Sequence, residues 1–164
     1  ILGTHAQADQ RIGQAVLQPL LAGDARVGHA CGVADQTLHT AQGFGQSEEF
    51  GVGPVKEEMK LAPVDAALYT KGEQIYVSKC VACHKFGSRL VGPPLKDVTK
   101  RRRPEWIMNQ ILNPLEMTQK DKVSKELFAQ YLVQMTFQDV SQDDARALLE
   151  YMRAVDEGKV TPKE

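Results

Sequence analysis

Cys80-Val81-Ala82-Cys83-His84 is the stretch from which the rest of the chain can be read. Each part of it has a chemical reason. Two thiols three residues apart suit a single helical turn, and they can add across the two vinyl groups of one haem. The residue that follows them can turn its imidazole toward the iron as the proximal ligand. A zinc site would need a second Cys/His pair at finger spacing, and none follows. A thioredoxin-like C-x-x-C would sit in an alternating strand and helix pattern, which this sequence does not show. The motif predicts one covalent haem c, joined to Cys80 and Cys83, with His84 as an iron ligand.

The residues after the motif suit its support. Val91-Gly92-Pro93-Pro94-Leu95 cannot be helix. A carbonyl from Pro93 is placed to accept the Nδ1 proton of His84, fixing the ring and raising its basicity. Lys100-Arg101-Arg102-Arg103 is the sharpest charge run. Nucleic acid would call for more basic residues and for stacking aromatics, so it is not expected as a partner. Arg102 and Arg103 are expected instead at a haem propionate or facing an acidic partner. The indole N–H of Trp106 is a further candidate for a propionate.

Helical patterning surrounds the motif on both sides. Asp65 can cap a helix ending near Lys79, with Ala66, Ala67, Leu68, Gly72, Ile75 and Tyr76 at helical spacings. Gly72 costs that helix about 1 kcal/mol relative to alanine, which makes sense if another helix crosses close to it. Pro104 suits the first position of a helix over 104–112, ended by Asn113-Pro114. A further helix is predicted over about 121–133, with Val123, Leu127, Phe128, Tyr131 and Leu132 apolar. The last helix is predicted to start at Ser141, with Asp143 and Asp144 in its first turn, and to end near Gly158. The expected fold class is all-α.

The sixth position of the iron must come from a methionine or stay open. No histidine follows the motif, and the chain has five methionines. Met59 precedes the motif, while Met108 and Met152 fall within helical patterns and suit core packing. Met117 and Met135 are both expected in loops, where a thioether can be aimed across a haem. Met135 is preferred, because it lies 51 residues after His84 and just before the closing helix. A thioether ligand stabilises reduced iron and raises the potential.

Composition bounds the remainder. At 164 residues, with 42% hydrophobic and 25% charged, the chain reads as one soluble globular domain plus an extension. Residues 1–65 carry 4 Lys/Arg and 8 Asp/Glu, whereas residues 66–164 carry 16 and 13. The second half is thus mildly basic and suited to steering an acidic partner. Residues 1–62 hold nine of the thirteen glycines and are expected to form a largely irregular extension, with a short helix around 7–22 weakened by Pro19. The haem domain is expected over 63–158 and a polar tail over 159–164. His5, His29 and His39 read as solvated. No run approaches 18 apolar residues. Haem c is attached outside the cytoplasm, so an export signal is expected. Residues 12–22 make a poor one, being flanked by Asp9 and Asp24 and interrupted by Gln14, Gln18 and Pro19. The sequence is therefore expected to be mature or to continue upstream. Ala30-Cys31-Gly32 resembles the end of a lipoprotein signal, so Cys31 is a candidate lipid anchor, with a free thiol as the alternative.

From about residue 66 to 158 the chain resembles the class I, mono-haem cytochromes c of bacteria. The resemblance rests on Gly72 and Tyr76 before Cys80-x-x-Cys83-His84, then Gly92-Pro93-x-Leu95, then Met135, then Leu148 and Tyr151. It covers about 93 of the 164 residues. It implies that the first and last helices cross, with Gly72 and Tyr76 on Leu148 and Tyr151. It implies also that Pro93 serves His84, that Leu95 belongs to the haem site and that Met135 binds iron. Thr136 stands where many members have proline. Arg103-Pro104-Glu105-Trp106 with Met117 looks like a subgroup, often lipid-anchored, that serves respiratory complexes; mono-haem subunits of alternative complex III look similar.

The expected function is electron transfer toward a terminal oxidase or reductase, not enzymatic catalysis. The expected place is the periplasmic side of the cell membrane, with redox proteins or a membrane respiratory complex as partners. The other reading is a haem sensor, or a haem protein that binds a small molecule through a displaceable sixth ligand.

Overall fold

The structure is a computed structural model that describes residues 49–164. The expectations for Cys31, for His5, His29 and His39, and for a helix over 7–22 lie outside the described residues. In chain order the helices are α1 (Ala66–Lys79), α2 (Val98–Arg101), α3 (Pro104–Leu112), α4 (Pro114–Lys120), α5 (Lys122–Tyr131) and α6 (Gln142–Asp156). No strand occurs among the described residues.

The crossing of α1 and α6 is the frame. Asp65 caps α1, its carboxylate accepting from Leu68 N at 2.7 Å. Gly72 lies against the other helix so closely that a Cβ there would sit 2.0 Å from the Ala147 carbonyl oxygen. One turn on, Tyr76 is fully buried and its ring lies 5.4 Å from that of Tyr151 and 5.3 Å from that of Phe86. Such tilted pairs add to the burial of three aromatic side chains. Helix α6 begins with a reciprocal capping box between Ser141 and Asp144. It buries Ala145, Leu148, Leu149, Tyr151 and Met152. Glu150 is buried on the same helix, which is tolerable because Arg153, Arg146 and the Asp65 N–H meet its carboxylate.

Two helices were not expected from the sequence. Helix α2 is a single turn, too short for a periodic signal. Its start is supplied from elsewhere in the fold: the Asp156 carboxylate accepts from Asp97 N at 2.7 Å, Thr99 N at 3.0 Å and Thr99 Oγ1 at 2.6 Å. Helix α4 follows α3 with one residue between them, Asn113. Asn113-Pro114 ends one helix as expected, but the same proline opens the next, at a position where its missing N–H costs nothing. Met117, expected in a loop, is therefore helical and fully buried.

The packed unit also begins before residue 63. Residues 51–65 are irregular, yet Phe50 and Val55 are buried. Asn109 in α3 ties them down: its amide N–H donates to the Phe50 and Val55 carbonyls at 2.9 and 2.8 Å, and its oxygen accepts from Val55 N at 3.0 Å. Val52 N donates to the Met117 sulfur at 2.9 Å. Arg103 pairs with Glu49, Glu58 and Glu105. Among the described residues no helix is long and apolar enough to cross a membrane.

Candidate haem-binding site

The end of α1 makes the motif. Cys80 caps that helix through its N–H to the Tyr76 carbonyl at 2.8 Å, and His84 N returns to the Cys80 carbonyl at 2.9 Å. Cys80, Cys83 and His84 thus share one tight turn. Three contacts orient it. The Tyr76 hydroxyl donates to the His84 carbonyl at 2.8 Å. The N–H groups of Val91 and Gly92 fold back onto the Cys83 carbonyl at 3.2 and 2.9 Å. The Nδ1 of His84 meets the Pro93 carbonyl at 3.0 Å. A carbonyl can only accept, so Nδ1 carries the proton and Nε2 keeps its lone pair. Gly92 lies flat against the ring, where a Cβ would come within 2.5 Å of His84 Cε1.

Electrostatics favour ligand chemistry over acid–base work. Burial pushes the His84 imidazole below its ordinary value, against the upward pull of the Pro93 hydrogen bond. The ring is therefore neutral at neutral pH, the form that binds iron. Burial pushes the Cys80 thiol up to about 11, with Lys79 opposing. A reactive redox cysteine is shifted the other way.

These residues line one large cleft, with about 1480 Å³ of empty space including its open mouth. Cys80, Cys83, His84, Pro93 and Leu95 line it from the motif turn and its loop; α3 adds Trp106, Ile107, Gln110 and Ile111. Helix α5 adds Ser124, Leu127, Phe128 and Tyr131; the segment after it adds Met135; α6 adds Leu148 and Met152. The lining is mostly apolar, and its donors are two unpaired cysteines, an imidazole and thioethers. Among the described residues no group of three or more His, Cys, Asp and Glu side chains could hold a separate metal ion. The residues present fit a covalent haem c.

The residues expected at the propionates occupy different places. Arg102 lines the cleft, its guanidinium 5.5 Å from the centre of the Trp106 ring. Arg103 does not line the cleft; three carboxylates on the Glu49–Glu58 side and on α3 engage it instead. Trp106 lines the cleft, but its indole N–H is committed to Asp121 Oδ1 at 3.1 Å. That carboxylate also caps α5 by accepting from Ser124 N. The neighbour Arg101 reaches the cleft as well, and the sequence reading did not single it out. Nor did it single out Gln110 and Ser124, two polar residues on helical faces otherwise turned to apolar contacts. Gln110 stands four residues after Trp106, a spacing that places both on one face.

A cleft of this lining, with two thiols and an imidazole on one turn, defines a covalent haem protein of helical architecture. The cytochrome c family profile matches residues 69–156. A solved structure of cytochrome c from Rhodothermus marinus is 44% identical, with a TM-score of 0.65 over 69% of this chain and 97% of that one. An engineered cytochrome c from Rhodothermus marinus is also 44% identical, at a TM-score of 0.65 over 68% and 97%. The engineered protein bound to a carbene intermediate matches at 44% identity and a TM-score of 0.62 over the same shares. No curated protein matches. The chain belongs to the cytochrome c family, whose members are typically electron carriers and hold haem c covalently.

Proposed function

We propose that this chain is a class I, mono-haem electron carrier in which His84 and Met135 would hold the iron. Bound haem would supply an iron that cycles between ferrous and ferric states. The chain's own part is to bind, orient and exclude. Cys80 and Cys83 would anchor the ring, Pro93 and Gly92 hold the His84 plane, and the apolar walls would keep water from the metal. The thioether of Met135 would favour reduced iron and close the site to small molecules.

The observation that carries this reading is that Met135 and His84, far apart in sequence, line the same cleft. The other methionines are otherwise engaged. Met117 accepts from Val52 N, Met108 is buried away from the cleft, and Met59 packs against the core from the segment before α1. Met152 touches the cleft from the buried face of α6, beside Leu148, as a packing residue.

The test is to add carbon monoxide to the reduced holoprotein. The wild type is expected to bind it poorly, and Met135→Ala to bind it readily with loss of the iron–sulfur charge-transfer band. Ready binding by the wild type, or an unchanged Met135→Ala spectrum, would reject Met135 and favour a displaceable-ligand sensor.

The proposed place is the periplasmic side of the cell membrane, since haem c is attached outside the cytoplasm. An acyl group on Cys31 would tether the chain there. The proposed partner is an acidic redox protein or a membrane respiratory complex such as an alternative complex III assembly. Support comes from the net positive charge of residues 66–164. Co-purification from membranes in mild detergent tests this: recovery with quinol-oxidising subunits supports the complex, and recovery as a soluble monomer supports a free shuttle.

A further inference from the structure

Gln110 and Ser124 are among the polar side chains that line the cleft near Met135. Gln110 Nε2 lies 3.7 Å from the Met135 sulfur, within reach of a hydrogen bond to a large, polarisable acceptor. The Gln110 oxygen accepts from Ser124 Oγ at 2.6 Å. Both residues line the cleft, one from α3 and one from α5. A thioether can only accept, so the amide must present its NH₂ to the sulfur. Ser124 rewards that orientation by donating to the opposite end of the same amide. A second glutamine fixes the backbone beneath: Gln134 Nε2 donates to the Met135 carbonyl at 2.9 Å, to Thr118 Oγ1 at 3.1 Å and to the Pro114 carbonyl at 3.3 Å. A polar amide in an otherwise apolar wall costs stability unless it is satisfied, and here its two ends meet the sulfur and Ser124.

We propose that Gln110, oriented by Ser124, is the positioning residue that sets both the direction and the electron-donating strength of the Met135 sulfur. The inference rests on Met135 being the sixth ligand. A thioether sulfur has two lone pairs, so it can bind iron with one and accept the Gln110 N–H with the other. That N–H draws electron density from the sulfur. Donation to ferric iron suffers more than donation to ferrous iron, because the more highly charged ion depends more on it. The Gln110 bond therefore favours the reduced state.

The experiment measures the reduction potential of the holoprotein for the wild type, Gln110→Leu and Ser124→Ala, together with the iron–sulfur charge-transfer band. Gln110→Leu is expected to keep the band and to favour the oxidised state by roughly threefold to tenfold, which is ~30–59 mV downward at 59 mV per tenfold for one electron. Ser124→Ala leaves Gln110 in place but frees its amide to turn, so a smaller shift in the same direction is expected. A role in packing alone would leave the Ser124→Ala potential at the wild-type value. That result, or a Gln110→Leu potential equal to or above the wild type, would overturn the proposal. Failure of the underlying ligand assignment looks different: Met135→Ala would then leave the band unchanged. Should Gln110→Leu not fold, the Ser124→Ala potential decides alone.

Discussion

Gly72→Ala tests the frame on which the haem site hangs. Taken alone, the substitution should help, because alanine improves a helix interior by about 1 kcal/mol over glycine. The packing term opposes it. The added Cβ would fall 2.0 Å from the Ala147 oxygen, 2.6 Å from the Ala147 carbonyl carbon and 2.9 Å from Tyr151 Cβ. Two of those neighbours are backbone atoms in the middle of α6, so no rotamer change relieves them; the helices must move apart. Overpacking costs about 1–3 kcal/mol in typical cores, and contact with backbone puts this site at the upper end. The net expectation is a loss of about 2 kcal/mol. The assay is urea unfolding of the holoprotein followed by circular dichroism. With a slope of roughly 1–3 kcal/mol per molar for a small protein, the midpoint should fall by about 1 M with the slope unchanged. A midpoint equal to or above the wild type would mean that only helix propensity was felt. The close crossing of α1 and α6 would then be refuted.

Three further substitutions read separate parts of the structure. Gly92→Ala should push the His84 ring off the Pro93 carbonyl, since its Cβ would lie 2.5 Å from Cε1; an altered Soret spectrum in the reduced holoprotein checks this, and an unchanged one counts against the flat contact. Asn109→Ala removes three buried hydrogen bonds to Phe50 and Val55, a loss of about 3 kcal/mol at roughly 1 kcal/mol each; limited proteolysis within residues 50–62 should accelerate, and an unchanged cleavage rate would contradict the anchoring. Asp144 is held down at about 2 by hydrogen bonds from Lys71 and Ser141. Its folded value lies below the ordinary 3.8, so its contribution is present above pH 4 and lost as pH falls through about 2. Unfolding curves of the wild type and Asp144→Asn should differ at pH 7 and converge near pH 2; a constant gap across that window would reject the linkage.

The outline of the fold was legible because its signals are local. Asp65 and Ser141 are caps, Pro104 starts a helix, and Gly72 with Tyr76 marks a crossing; each matched an observed feature. The motif and Pro93 were equally plain, for a turn of two thiols and an imidazole has few other uses. What the sequence hid was set by tertiary partners. Helix α2 owes its start to Asp156, far along the chain. Met117 looked like a loop residue because Asn113-Pro114 reads as an ending, and nothing local says that it is also a beginning. Trp106 was assigned to a propionate by type, and Arg103 to a propionate or an acidic partner; the fold gives the first a bond to Asp121 and the second ion pairs with glutamates. Gln110 and Ser124 carry no motif; only the folded chain brings them to the Met135 sulfur.

The tether between Asn109 and residues 50–55 has a consequence for the order in which the chain can assemble. Residues 50–55 leave the ribosome well before α3 and α4, whose side chains cover them. Until those later helices arrive, the Val55 amide and the Phe50 carbonyl have no protein partner, and the Cys-x-x-Cys-His turn emerges in between. Folding from the amino end alone therefore cannot complete this domain. Its closure waits on contacts spanning more than fifty residues, the kind that slows a folding reaction.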